Sequence, residues 1–351
     1  MDARLRYTRD EIMSSHDYVR PHEEAGYRLH GGFVSDGTAA GSYVSPRTRM
    51  RWPAVKAWGE ALKARGWPLI DATGDLLARQ GYPTFEQQKL LLKEGFGQTL
   101  WNSLTITGII EARGQALCNV TAPDMQRLIV GDIADTAIAH MNQGLLYAHG
   151  ADEGGDPAHP AERAHDAMWF AARDLVFGKG AYPMPEAPAS IARPVEDREM
   201  PQLPEGYEQL IKFLMNVLMI EIRAESFFSL CCRVFRDPDL FTDRRADAEL
   251  AATMVERIRT DEAIHVGYLQ VLISEMRSYP WRTVDGRVVP GAEIIDPVWA
   301  RMIEWHGKTE RDIAAARTRA ALATQLTAAR GEAGAEALLA KLDALDERVG
   351  V

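Results

Sequence analysis

Carboxylates and imidazoles set inside apolar stripes at helical spacing are the feature that most constrains this chain. Between Asp243 and Ser278 such a stripe runs Leu250, Met254, Ile258, Asp261 or Glu262, His265, Leu269, Leu272 and Met276. The segment Thr260-Asp261-Glu262-Ala263-Ile264-His265 therefore lies in the middle of a face that should be buried. Glu262 and His265, three residues apart, project from the same side of a helix and can ligate one metal ion. An ionised carboxylate on a buried stripe costs several kcal/mol unless a cation or hydrogen-bond donors compensate it.

Three other helical patterns repeat the arrangement. From Pro83 to about Cys118 one stripe carries Trp101, Leu104, Gly108, Glu111 and Cys118. From Ala161 to Phe177, opened by Pro160, the stripe reads Glu162, His165, Trp169, Ala172 and Val176. From Glu205 to Arg236 it reads Leu214, Leu218, Glu221, Glu225, Phe228 and Cys232, with Asp237-Pro238 as the stop. Glu111, Glu162, His165, Glu225, Glu262 and His265 together make four carboxylates and two histidines, the inventory of a carboxylate-bridged dimetal centre. Oxygen and imidazole donors suit iron, with manganese or a mixed manganese–iron pair as alternatives; structural zinc would more often recruit thiolates. Asp261 is positioned to take the second ring proton of a ligating histidine on the neighbouring half, fixing its tautomer. Two alternatives stay open. Glu221, one turn before Glu225, competes for the third carboxylate, and His140 replaces His165 if its own segment enters the core.

The order Glu, Glu-x-x-His, Glu, Glu-x-x-His resembles the ferritin-like diiron carboxylate superfamily over residues 84 to 278. The segment RTDEAIHVGYLQVL is similar to the last ligand helix of ribonucleotide reductase small subunits and of diiron N-oxygenases. Ala224-Glu225 is similar to the third-ligand region of those N-oxygenases, but Ile258 stands where their extra histidine would fall. The resemblance implies an all-α fold with a four-helix-bundle core and extra helices. It implies two iron ions and dioxygen-dependent hydroxylation, N-oxygenation or desaturation of a small organic substrate, with an electron-donor protein as partner. A non-catalytic iron-binding protein, or a metal-free partner subunit that kept the bundle, is the competing expectation.

Around this core, residues 1–83 carry many glycines and prolines and read as an irregular arm, with one short helix from Pro53 to Arg65. A long helix is expected from an N-cap at Thr121 to His149. The proline-rich stretch 178–204 reads as a crossover connection. Residues 279–351 should form a small hairpin about Asp285-Gly286 and two terminal helices, Pro297 to Arg330 and Ala333 to Arg348, that pack on the bundle or join a homodimer. Trp101, Trp169 and Tyr268 near the ligands read as core aromatics. Leu104, Phe228 and Leu269 are candidate pocket walls, and Gly108 leaves room for a substrate.

The balance of 50 acidic against 40 basic residues, net −10, offers no field for nucleic acid, and the basic spot Arg47, Arg49, Arg51 reads as a solvated loop. Apolar runs such as Val217 to Ile220 are far too short to span a bilayer. The cysteines, Cys118, Cys231 and Cys232, include a neighbouring pair poorly placed for a mutual disulfide, which fits a cytoplasmic protein.

Overall fold

In the computed structural model, which describes residues 4–77, 82–194 and 197–346, helices dominate and the strands are short. The chain opens with α1 (Arg9–Ile12) and an antiparallel sheet, β1 (Arg20–Glu24), β2 (Tyr27–Val34) and β3 (Ser42–Val44), in that spatial order. The arm is therefore not irregular, as had been expected. Gly31-Gly32 interrupts the strand-period pattern of β2, and the register shifts opposite them between Pro21 and His22, which hides the sheet from a periodicity search. Helix α2 (Arg51–Ala64) follows, close to its expected position.

The helix expected from Pro83 to Cys118 divides into α3 (Phe85–Lys93) and α4 (Gln98–Gly114) at Gly95, whose φ of 86° ends the first piece. The helix expected from Thr121 to His149 does not form. Asp124 and Asp132 accept from the backbone N–H two residues on, at 3.1 and 2.8 Å, and these turns compete with helix. Only α5 (Ala137–His140) and α6 (Leu145–Gly154) are α-helical there, with 3-10 turns at Met125–Arg127 and Met141–Gln143. Helix α7 (His165–Phe177) starts four residues later than expected: Asp156 closes a turn on Ala158, and Arg163 pairs with Arg28 and His30 of β2. Glu162 thus stands outside the helix.

Helices α8 (Glu205–Arg236) and α9 (Arg245–Ser278) run almost as expected and fold back on each other, paired along their length by Arg236–Glu249 and Arg259–Glu225. The hairpin β4 (Pro280–Arg282) and β5 (Val288–Pro290) leads into α10 (Gly291–Glu304), a π-helical turn (Trp305–Thr309) and α11 (Glu310–Asp346), which is interrupted at Gly331. The terminal helix is expected to end at Arg348, within residues 347–351, which lie outside those described. No helix among the described residues is long and apolar enough to cross a membrane.

Helix α7 packs on α4 and α9, and α9 packs on α8. The apolar interior is split. One cluster gathers Trp58, Ile138, Leu214, Leu218, Leu269 and Leu272; the other gathers Leu104, Trp169, Phe228, Phe235, Met254 and Ile258. Along α8 the switch between them falls between Ile222 and Phe228, and along α9 between Ile258 and Ile264. A layer of ionisable side chains occupies that seam.

Candidate metal centre

Two groups of closely spaced donors, which share Glu153, lie in the seam: Glu111, Glu153, His165 and Glu262, and His149, Glu153, Glu221 and His265. Helix α4 supplies Glu111, α6 His149 and Glu153, α7 His165, α8 Glu221, and α9 Glu262 and His265. The three imidazoles are at most 1% exposed and the four carboxylates between 6 and 8%, so water cannot solvate these charges as it does at a surface.

The inward ring nitrogens converge on Glu153 Oε1: His265 Nδ1 at 3.0 Å, His149 Nε2 at 3.3 Å and His165 Nδ1 at 3.7 Å. Glu262 spans both groups, with Oε2 2.7 Å from His265 Nδ1 and Oε1 3.1 Å from His165 Nδ1. Glu221 Oε1 lies 3.0 Å from His149 Nε2, and Glu111 Oε2 3.7 Å from His165 Nδ1. Each outward nitrogen has its own anchor. His165 Nε2 meets Asp261 Oδ2 at 3.1 Å, His265 Nε2 meets Asp152 Oδ2 at 3.2 Å, and His149 Nδ1 meets the Tyr268 hydroxyl at 2.8 Å. Such outer partners fix tautomer and ring orientation so that the remaining lone pair faces inward.

The anchors are themselves held by the N-terminal arm. The Tyr43 hydroxyl donates to Asp261 Oδ2 at 2.8 Å, and His30 Nε2 lies 3.2 Å from the same oxygen. Arg51 Nη2 donates to Asp152 Oδ2 at 2.6 Å and Arg47 Nε to Oδ1 at 3.1 Å. The expected solvated basic loop is thus corrected: Arg47 and Arg51 are buried against Asp152, and only Arg49 stays on the surface, beside Asp17.

Electrostatics follow from this crowding. Burial and the neighbouring Glu153 carboxylate push the Glu111 carboxyl well above its ordinary range; burial and the charges of Glu262 and Glu153 do the same to Glu221. Burial opposes the imidazolium form of His165 and His265, yet the Glu262 charge and the hydrogen bonds to surrounding carboxylates together outweigh it and raise both. Burial likewise opposes the ionised form of Asp152 and Asp261, but Arg47 and Arg51 hold the first low, and His165 and His30 the second. Protons or cations must neutralise the inner carboxylates, because nothing else inside the seam does.

The structure brings together Glu111, His165, Glu262 and His265, with Asp261 behind His165. It does not bring in Glu162 or Glu225. The Glu162 side chain is 42% exposed, 3.6 Å from Arg28, because its segment is a turn rather than the helix that would have aimed it inward. Glu225 is 47% exposed and forms a two-point ion pair with Arg259. Their places are taken by Glu153 and Glu221. His140 stays apart: its Nδ1 meets Thr136 O at 2.7 Å, its Nε2 accepts from the Tyr7 amide, and its ring lies on Trp58. A third buried histidine, His149, comes from α6 and was not among the expected site residues. A signal for it existed: His149 and Glu153 are four apart and share a helical face, but the surrounding glycines read as breakers. Gly108 makes no room for a substrate, since a Cβ there would meet the Phe170 ring at 2.7 Å.

No protein-family model, curated protein or solved structure matches this chain. The site must be interpreted from its own chemistry.

Proposed function

We propose that the seam is a ferritin-like dimetal centre, and that the protein is a non-haem, oxygen-dependent oxidoreductase that oxidises a small organic substrate. The observation that carries the reading is the donor set itself: four glutamates and three imidazoles, buried together, with every inner nitrogen aimed at shared carboxylates. Glu153 Oε1 and His165 Nδ1 are buried without a partner in hydrogen-bonding geometry although oppositely charged groups surround them, as expected of atoms whose natural partner is a cation. With neutral imidazoles the four glutamates carry the charge that two divalent ions balance. Oxygen and nitrogen donors without thiolate favour iron, with manganese next.

When bound, a ferrous pair supplies the electrons that reduce dioxygen. The chain's residues do the rest. Glu111 and His165 would hold one cation and His149, Glu221 and His265 the other, with Glu153 and Glu262 close to both groups. Asp261, Asp152 and Tyr268 hold the imidazole tautomers, and the apolar clusters on both sides exclude bulk water.

Anaerobic reconstitution with Fe(II), followed by metal analysis and oxygen-electrode measurement, tests the reading. About two irons per chain and oxygen uptake on exposure to air are expected, with both lost in Glu153→Ala. Iron without oxygen consumption would point to storage. A chain that takes up no iron while keeping its helical content would overturn the metal-centre reading.

A further inference from the structure

The two histidine anchors are built alike but charged differently. Asp261, behind His165, is held by a phenol and an imidazole, Tyr43 and His30, so its negative charge stays largely uncompensated. Asp152, behind His265, is gripped by two guanidinium groups that are themselves buried, Arg47 and Arg51. Behind the position of Glu111 and His165 the outer groups therefore sum to about one negative charge. Behind the position of His149, Glu221 and His265 they sum to about zero, since Arg47 also faces the buried Asp156 at 3.8 Å, Arg51 offsets Asp152, and the Tyr268 anchor is neutral. Each position has one glutamate of its own, while Glu153 belongs to both groups and Glu262 reaches the imidazoles of both, so the inner ligands do not cancel this difference.

We propose that Arg47 and Arg51 make the two cation positions unequal: the Glu111–His165 position fills first and tightly, and the His149–Glu221–His265 position binds its cation more weakly. The inference rests on the dimetal reading above. Its physical basis is twofold. A guanidinium pair raises the potential at the nearer position, and it draws Asp152 electron density away from the His265 ring proton, making that imidazole a poorer donor. In this low-dielectric seam neither effect is screened as it would be at a surface.

Mn(II) titration of the full chain, followed by equilibrium dialysis and electron paramagnetic resonance, tests it. In the native protein the first Mn(II) should bind at least about tenfold more tightly than the second, on the scale by which outer partners alter metal affinity. Half-loaded samples should then show an isolated Mn(II) signal, and a spin-coupled pair should form only as the second ion enters. Arg47→Met should tighten the second step and bring the two affinities to within about threefold. Asp261→Asn should narrow the gap from the other side by loosening the first step. Damage to the fold would weaken both steps together, so a selective gain at the second position is the discriminating result.

Coupled pairs at every loading of the native protein, or an unchanged gap in a folded Arg47→Met and in Asp261→Asn, would overturn the inference while leaving the metal centre standing. No bound Mn(II) or Fe(II) at all would remove both.

Discussion

Glu221 and Glu225 stand one turn apart on α8, and only the first reaches the seam. The reason lies in the hairpin geometry. Counted back equally from the turn that joins α8 to α9, Glu262 faces residue 219, which is nearer Glu221 than Glu225. Arg259, one turn before Glu262, then meets Glu225 at the surface. Glu221→Ala should abolish stoichiometric cation uptake, whereas Glu225→Ala and Glu162→Ala should keep it, as metal analysis of each purified variant will show. A different buried acid tests stability. Glu275 accepts from the Ile138 amide at 3.2 Å, and burial pushes its carboxyl up to about 8. Its folded value lies above the unfolded one near 4.5, so the unfolded chain loses this proton first and stability falls as pH rises between the two. Glu275→Gln should be close to neutral at pH 5 and more stable than the native chain at pH 8.5, by up to about 4 kcal/mol. Denaturant unfolding at both pH values checks the sign. Glu111, Glu262, His165 and His265 were legible in the sequence because each interrupts an apolar stripe. Glu153 was not, since the helix that presents it is short and bounded by glycines.

Helix α6 reaches the seam because its glycines let it lie close to α4 and the 3-10 turn that follows it (Gln115–Asn119). A Cβ at Gly150 would come within 2.6 Å of the Cys118 backbone nitrogen, and one at Gly154 within 2.6 Å of the Ala112 carbonyl oxygen. The close approach sets Glu153 beside Gly114 and within reach of Glu111 and His165. Gly154→Val should push α6 off α4 and lose cation uptake, while circular dichroism records nearly native helical content. Full uptake with native stability would show that this backbone contact does not position Glu153. Helices α8 and α9 were readable almost to the residue because each is a long stripe with a clear stop. The stretch from Thr121 to His149 misled because Asp124 and Asp132 bond their own backbone, a local competition that periodicity does not register. The sheet of the arm escaped for a related reason: Gly31-Gly32 carries no side chain to reveal an alternation.

The fold encloses this layer of ionisable groups between two apolar clusters, so on the dimetal reading cation binding would be thermodynamically linked to folding. Loading with Fe(II) or Mn(II) should raise the melting temperature. The increment should shrink as pH falls from about 7.5 to about 5.5, because protons held by Glu111, Glu221, His165 and His265 must leave before ligation. Calorimetric scans with and without metal at the two pH values measure it. An increment that grows toward acid pH would contradict the ligand assignment. At this scale the helical class and the place of the polar layer were legible, and the arm's part in the site was not. Arg47, Arg51, His30 and Tyr43 are distant in sequence from the acids they hold, and no local pattern announces such pairings.

The anchoring of Asp261 by Tyr43 and His30 spans more than two hundred residues of chain. During synthesis the arm leaves the ribosome long before α9 exists, so the grip on His165 can close only once most of the polypeptide is made. Assembly of the inner ligands is therefore a late event in the protein's life.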